Sequence, residues 1–174
     1  MLQNIGQTGI QATRIALGCM RMSDLKGKQA EEVVGTALDL GINFFDHADI
    51  YGGGLSELRF REAIKHLNVN RDKMIIQSKC GIREGYFDFS KEYILSSVDG
   101  ILERLGTEYL DFLILHRPDV LVEPEEVAEA FTKLRAEGKV KHFGVSNQNR
   151  FQMELLQSYL DEPLAVNQLQ LSPA

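Results

Sequence analysis

The sequence predicts an α/β chain of the (β/α)8 barrel type, carried only as far as six parallel strands and five helices, with a short N-terminal hairpin in front. Three observations predict it. Short apolar runs alternate strictly with helical-period segments, and strict β-α alternation means a parallel sheet. No Gly-x-Gly-x-x-Gly follows any strand, which removes the main sequence support for a doubly wound dinucleotide fold. Polar and ionisable residues recur at the C-terminal ends of the strands, the rim where α/β barrels do their chemistry.

In chain order, residues 2–13 carry semi-alternating runs around glycines and predict the hairpin. Arg14 to Gly18 reads as a first buried strand, followed by the loop Cys19 to Asp24. A helix is expected from Lys28 to Leu40, with Val33, Val34, Ala37 and Leu38 on its apolar face and Gly41 as left-handed cap. The apolar run 42–46 reads as a buried strand. The glycines at 52, 53 and 54 then break regular structure, and a helix follows from Leu55 to His66. That triple glycine lacks the Lys-Ser/Thr of a phosphate loop.

The strand Met74 to Lys79 leads to a helix over Ser90 to Leu105. Ser90 is its N-cap, Gly106 its stop, and Ile94, Leu95, Val98, Ile101, Leu102 and Leu105 fall at helical spacing. Between them, 81–90 reads as a short loop with aromatic residues. The strand Tyr109 to His116 leads to a helix opened by Pro124 and closed by Gly138, with Val127, Ala130, Phe131 and Leu134 buried. The strand Val140 to Ser146, a helix over Phe151 to Leu160 and a last strand Leu164 to Leu169 complete the pattern.

A closed barrel of this kind needs eight strands and about 250 residues. The expectation is therefore a single barrel domain over 1–174 whose C-terminal part is missing, or a partial barrel completed by another copy or another chain. The first and sixth strands would be unpaired edges, open to such pairing.

With 44% hydrophobic and 25% charged residues, the composition is ordinary for a globular protein. A net charge of −6 argues against nucleic acid or an anionic membrane surface as the main partner. No stretch has the apolar length of a membrane span or the pattern of a signal peptide, so a cytoplasmic chain is expected. Cys19 and Cys80 have neither disulfide nor metal spacing, and no metal is expected.

Four strand ends carry candidate chemistry: Asp46 with Tyr51 just beyond, Lys79, His116, and Ser146-Asn147; the sixth strand adds Asn167-Gln168. Singly each has an ordinary structural reading, and Ser146-Asn147 is most simply a helix cap. Parallel strands in ring order bring these ends to one mouth. There, a phenol titrating near ~10 is a reluctant proton donor at neutral pH. An ammonium beside it favours the phenolate that donation leaves, and a carboxylate keeps a buried ammonium charged. An imidazole can hydrogen-bond and orient a carbonyl oxygen. These groups suit protonation of a carbonyl oxygen while its carbon receives a hydride, which no side chain supplies.

Asp46-His47-Ala48-Asp49-Ile50-Tyr51-Gly52, Ser78-Lys79, His116-Arg117-Pro118-Asp119, Gly144-Val145-Ser146-Asn147 and Val166-Asn167-Gln168 together resemble the aldo-keto reductase family, in order and spacing across the chain. The resemblance implies Tyr51 as general acid, Lys79 and Asp46 as its tuning pair, and His116 as the group that orients substrate. It implies a cofactor-contacting set of Asp46, Ser146, Asn147 and Gln168, with the last three around the nicotinamide carboxamide, and a weaker contact from the Gly18 to Arg21 loop. It implies NADP(H), with NAD(H) not excluded, and a small-molecule carbonyl substrate. Where the family often has threonine after its aspartate, this chain has His47, near the mouth but most simply structural. Two other readings stand beside the reductase: a nucleotide-binding regulatory subunit like the family's potassium-channel β subunits, and an inert piece of the enzyme.

Overall fold

The computed structural model describes residues 1–172. The hairpin forms from β1 (Leu2–Asn4) and β2 (Gln11–Thr13), paired antiparallel. The repeating units are β3 (Leu17–Gly18) with α1 (Gln29–Asp39), β4 (Phe44–Asp46) with α2 (Leu55–His66), and β5 (Ile75–Cys80) with α3 (Lys91–Leu105). A small antiparallel hairpin, β6 (Ile82–Arg83) and β7 (Tyr86–Phe87), lies between β5 and α3. Then come β8 (Leu110–Leu115) with α4 (Pro124–Ala136), β9 (Val140–Ser146) with α5 (Arg150–Gln157), and β10 (Val166–Gln168).

Six of these strands form one parallel sheet in the order β10-β9-β8-β5-β4-β3. Each strand pairs with the one before it in the βα series, which is barrel winding; a doubly wound sheet would reverse direction partway.

Successive side chains on a strand point to opposite faces, so this sheet has two cores. The outer face meets the helices: Phe45, Ile76, Cys80, Leu113, Leu115, Phe143 and Val145 pack with Phe60, Val98, Ile101, Val127 and Leu134. The inner face is filled lower down by Phe44, Ile75, Phe112, Ile114 and Val166, and Ile5 and Ala12 of the N-terminal hairpin region join that cluster. The hairpin thus plugs the end of the barrel opposite the strand C-termini.

Local chemistry sets most boundaries. Ser90 caps α3, its hydroxyl accepting the Tyr93 N–H at 3.4 Å, and Gly106 closes it at φ +66°. Pro124 opens α4.

Five expectations are corrected. The first strand is two residues, not Arg14 to Gly18, because the chain bends at Ile15, whose carbonyl accepts the Thr13 hydroxyl at 2.8 Å; Ile15 is exposed. Residues 81–90 are a hairpin rather than a plain loop. The helix expected to Leu160 ends at Gln157, and the last strand is confined to Val166–Gln168. Finally, α5 is capped by Asn149 in a reciprocal capping box with Gln152, which leaves Ser146-Asn147 free for something else. Among the described residues no helix is long and apolar enough to cross a membrane, and no His/Cys/Asp/Glu group could hold a metal ion.

Candidate active site

Asp46 ends β4, and register sets Gln77 of β5 directly beside it. Lys79 lies two residues further along β5 and so faces the same interior. Its side chain is almost wholly buried, and its ammonium spends its three N–H groups on three acceptors: Asp46 Oδ1 at 2.7 Å, the His47 carbonyl at 2.8 Å and the Tyr51 hydroxyl oxygen at 3.1 Å. A buried ammonium without its carboxylate would carry a large desolvation penalty.

Tyr51 reaches this point because the chain turns sharply after β4. A 3-10 turn, Tyr51–Gly54, carries Gly52 and Gly53 at φ +58° and +62°, and a Cβ on Gly52 would lie 2.4 Å from Ser23 Cβ. Only glycine meets both demands there. His116, the residue after β8, is held by its N–H to the Cys80 carbonyl at 2.9 Å. Its ring meets the Tyr51 ring edge-on, centroids 5.9 Å apart at 79°. Its Nδ1 is buried without a partner, and burial, followed by the charge of Lys79, pushes the imidazole down to about 4. The imidazole is therefore neutral near pH 7.

The second group lies on the strands beside them. The Ser146 hydroxyl donates to the Gln168 carbonyl at 2.9 Å, and Asn147 Nδ2 donates to Ser146 Oγ at 2.7 Å. Asn147 sits at φ +58°, a conformation asparagine tolerates better than most residues, and its N–H extends the ladder to Gln168 O at 3.1 Å. The exposed Gln168 amide donates from Nε2 to Asp46 Oδ2 at 3.4 Å. The loop Gly18 to Arg21 borders this region, with the Cys19 N–H on the Asp46 carbonyl at 2.9 Å.

Of the residues singled out from the sequence, Asp46, Tyr51, Lys79 and His116 gather on one side of a single mouth and Ser146, Asn147 and Gln168 on the other, while Asn167 faces α5 instead, its Nδ2 donating to the Gln148 carbonyl at 2.8 Å beside Met153. His47 does not join them. It is fully buried on the outer face, its ring edge-on to Phe60 at 4.6 Å, with both nitrogens unpaired and the imidazole pushed down to about 3 by burial. His66 bonds Glu31 at 2.8 Å on a surface helix, and His142 packs on Phe112 in the inner core.

Sequence reasoning missed Gln77, whose amide joins the two halves of the site. Reading 74–79 only as a buried strand hid it; the available signal was its place two residues before Lys79, hence on the same face. It also missed the polar support behind β5. There the buried Glu57 accepts from Ser78 Oγ at 2.9 Å and Arg104 Nε at 2.6 Å, while Asp49 accepts from Tyr93 Oη at 3.0 Å and Ser97 Oγ at 2.9 Å. Both carboxyls are raised by burial. These bonds anchor α2 and the turn carrying Tyr51 to β5 and α3.

The sequence profile of the Aldo/keto reductase family matches residues 14–174. The chain is 42% identical to "Oxidoreductase YdhF" of Escherichia coli (strain K12), over 97% of this chain and 60% of that protein. It is 36% identical to a "6-dehydroglucose reductase" of Novosphingobium aromaticivorans, over 98% of this chain and 59% of that one. Among solved structures, the thermostable aldo-keto reductase Tm1743 superposes with a TM-score of 0.86 at 26% identity, covering 98% of this chain and 62% of that chain. The chain spans about 60% of the length of these curated relatives.

Proposed function

The chain belongs to the aldo/keto reductase family, and from that premise we propose that it provides the catalytic half of an NAD(P)H-dependent oxidoreductase that reduces aldehyde and ketone carbonyls to alcohols. We read it as one barrel domain whose remaining strands lie outside these residues. The observation that carries the proposal is the use of the Lys79 ammonium. One of its three N–H groups is spent on the Tyr51 oxygen, which leaves the phenol's own hydrogen free to point at a substrate.

When bound, the nicotinamide cofactor supplies the hydride. The chain's residues do the rest. Tyr51 would transfer its proton to the carbonyl oxygen as the carbon takes the hydride, so one C–H and one O–H bond form while the C=O π bond, the hydride donor's C–H bond and the tyrosine O–H break. Lys79 stabilises the phenolate left behind, Asp46 keeps Lys79 charged, and solvent returns the proton to Tyr51. The neutral His116 imidazole orients the carbonyl oxygen by a hydrogen bond. Ser146, Asn147 and Gln168 would hold the cofactor's carboxamide; two amides and a hydroxyl offer the acceptor and donors that a carboxamide requires. Asp46 completes this set from below. NADP(H) is the cofactor we favour.

Titration of NADPH and NADH by their own fluorescence, followed by an aldehyde turnover assay, tests the reading. Binding with turnover supports it. Tight binding without turnover would favour a regulatory nucleotide-binding role, and no binding would leave the reductase proposal without a cofactor site in this chain.

A further inference from the structure

We infer that Gln77 is a positioning residue that fixes the proton-donor group and the carboxamide-binding group relative to each other. The inference rests on the reductase reading above. Gln77 is buried on the inner face of β5, and both N–H groups of its amide have acceptors: Asp46 Oδ1 at 2.6 Å and Gln168 Oε1 at 3.2 Å. Gln168 Nε2 reaches back to Asp46 Oδ2 at 3.4 Å. Three side chains from β4, β5 and β10 thereby close a ring across the inside of the sheet, with β5 and β10 separated in the sheet by β8 and β9.

The ring has two consequences. Asp46 Oδ1 already accepts from Lys79 at 2.7 Å, so the Gln77 bond and the Gln168 bond stop the carboxylate from rotating about that single ion pair. An apolar residue at 77 would leave Oδ1 with one donor in a dry interior, and a glutamate there would set like charge directly beside Asp46. Secondly, the exposed Gln168 amide is held in one orientation before any ligand arrives, with its oxygen bonded inward. A carboxamide that competes for Gln168 Oε1 alters the bond from Gln77, and through it the hold on Asp46. Occupancy of the carboxamide position and the geometry of the proton donor then share one coupling free energy, which acts equally in both directions on binding.

The chemistry separates Gln77 from a residue that merely fills space. Gln77→Leu should weaken NADPH binding about fivefold or more, the lower end of ordinary coupling. In a Gln168→Ala background the same change should cost distinctly less affinity than in the wild type, because one of the two partners through which it acts has gone. Turnover at saturating cofactor should fall in both backgrounds, because that arm runs through Asp46. Gln77→Met, similar in length and without a donor, serves if Gln77→Leu does not fold. A measurement on the wild-type chain needs no variant at all: the two Gln77 side-chain amide protons, followed by NMR, should shift on saturation with NADPH.

Failure of the inference and failure of the reductase reading give different results. A wild-type chain that binds neither NADPH nor NADH overturns both. Binding with unmoved Gln77 amide protons, or simply additive effects of Gln77→Leu and Gln168→Ala on affinity, overturns the role of Gln77 alone.

Discussion

His47→Leu is the substitution whose effect the structure defines most sharply. The imidazole is sealed between the sheet and α2, both nitrogens lack partners, and burial pushes it down to about 3 from an ordinary 6.5. The unfolded chain therefore binds a proton at this residue below pH 6.5 while the folded chain does not, so stability is lost as pH falls. Linkage puts the loss between pH 7 and pH 5 at about 2 kcal/mol, and it grows until the pH reaches the folded value. In a protein of this size that is about 4–8 °C in Tm. Leucine fills a similar volume without nitrogens, so at pH 7 the variant should be as stable as the wild type or more so. Urea unfolding followed by circular dichroism at pH 7 and pH 5 reads the difference. His116 and the raised carboxyls of Asp49 and Glu57 contribute to both proteins and cancel. Parallel pH dependence in variant and wild type would refute the reasoning.

Lys79→Met should leave Asp46 as a largely buried carboxylate without its cation, costing about 3–5 kcal/mol in urea unfolding, and adding Asp46→Asn should recover part of it. Gly144→Ala should loosen the β9–β10 pairing. Its Cβ would stand 2.7 Å from the Val166 carbonyl oxygen and 2.8 Å from Ile114 Cδ1, and the backbone cannot yield cheaply. A loss of about 1–3 kcal/mol is expected, with faster hydrogen exchange along β10. Because His116 titrates near 4, turnover should show no step from its ionisation between pH 6 and pH 8. A step in that range that disappears in His116→Gln would contradict a neutral imidazole.

Much of this was legible in the sequence, and the residues show why. Helices with a stripe and two stops, such as the one between Ser90 and Gly106, announce themselves because burial and capping act on neighbouring residues. The convergence of Asp46, Tyr51, Lys79 and His116 was legible because parallel strands bring their ends to one rim. What escaped depended on contacts between distant segments. Ile15 is apolar yet exposed, since a bend held by Thr13 carries it off the sheet. Ser146 and Asn147 looked like a cap, but their bonds run to each other and to β10, while the Asn149 and Gln152 pair that does cap α5 lay three residues apart in plain view. Gln77 matters only through Asp46 and Gln168, the latter 91 residues away.

Turnover of an aldehyde by Tyr51→Phe, with cofactor affinity measured on the same preparation, bears most directly on the proton-donor claim. The phenol removed from the Lys79 ammonium should lower kcat by about 10²–10⁴ and leave NADPH affinity unchanged. A variant that reduces the aldehyde as fast as the wild type would show that the proton comes from elsewhere.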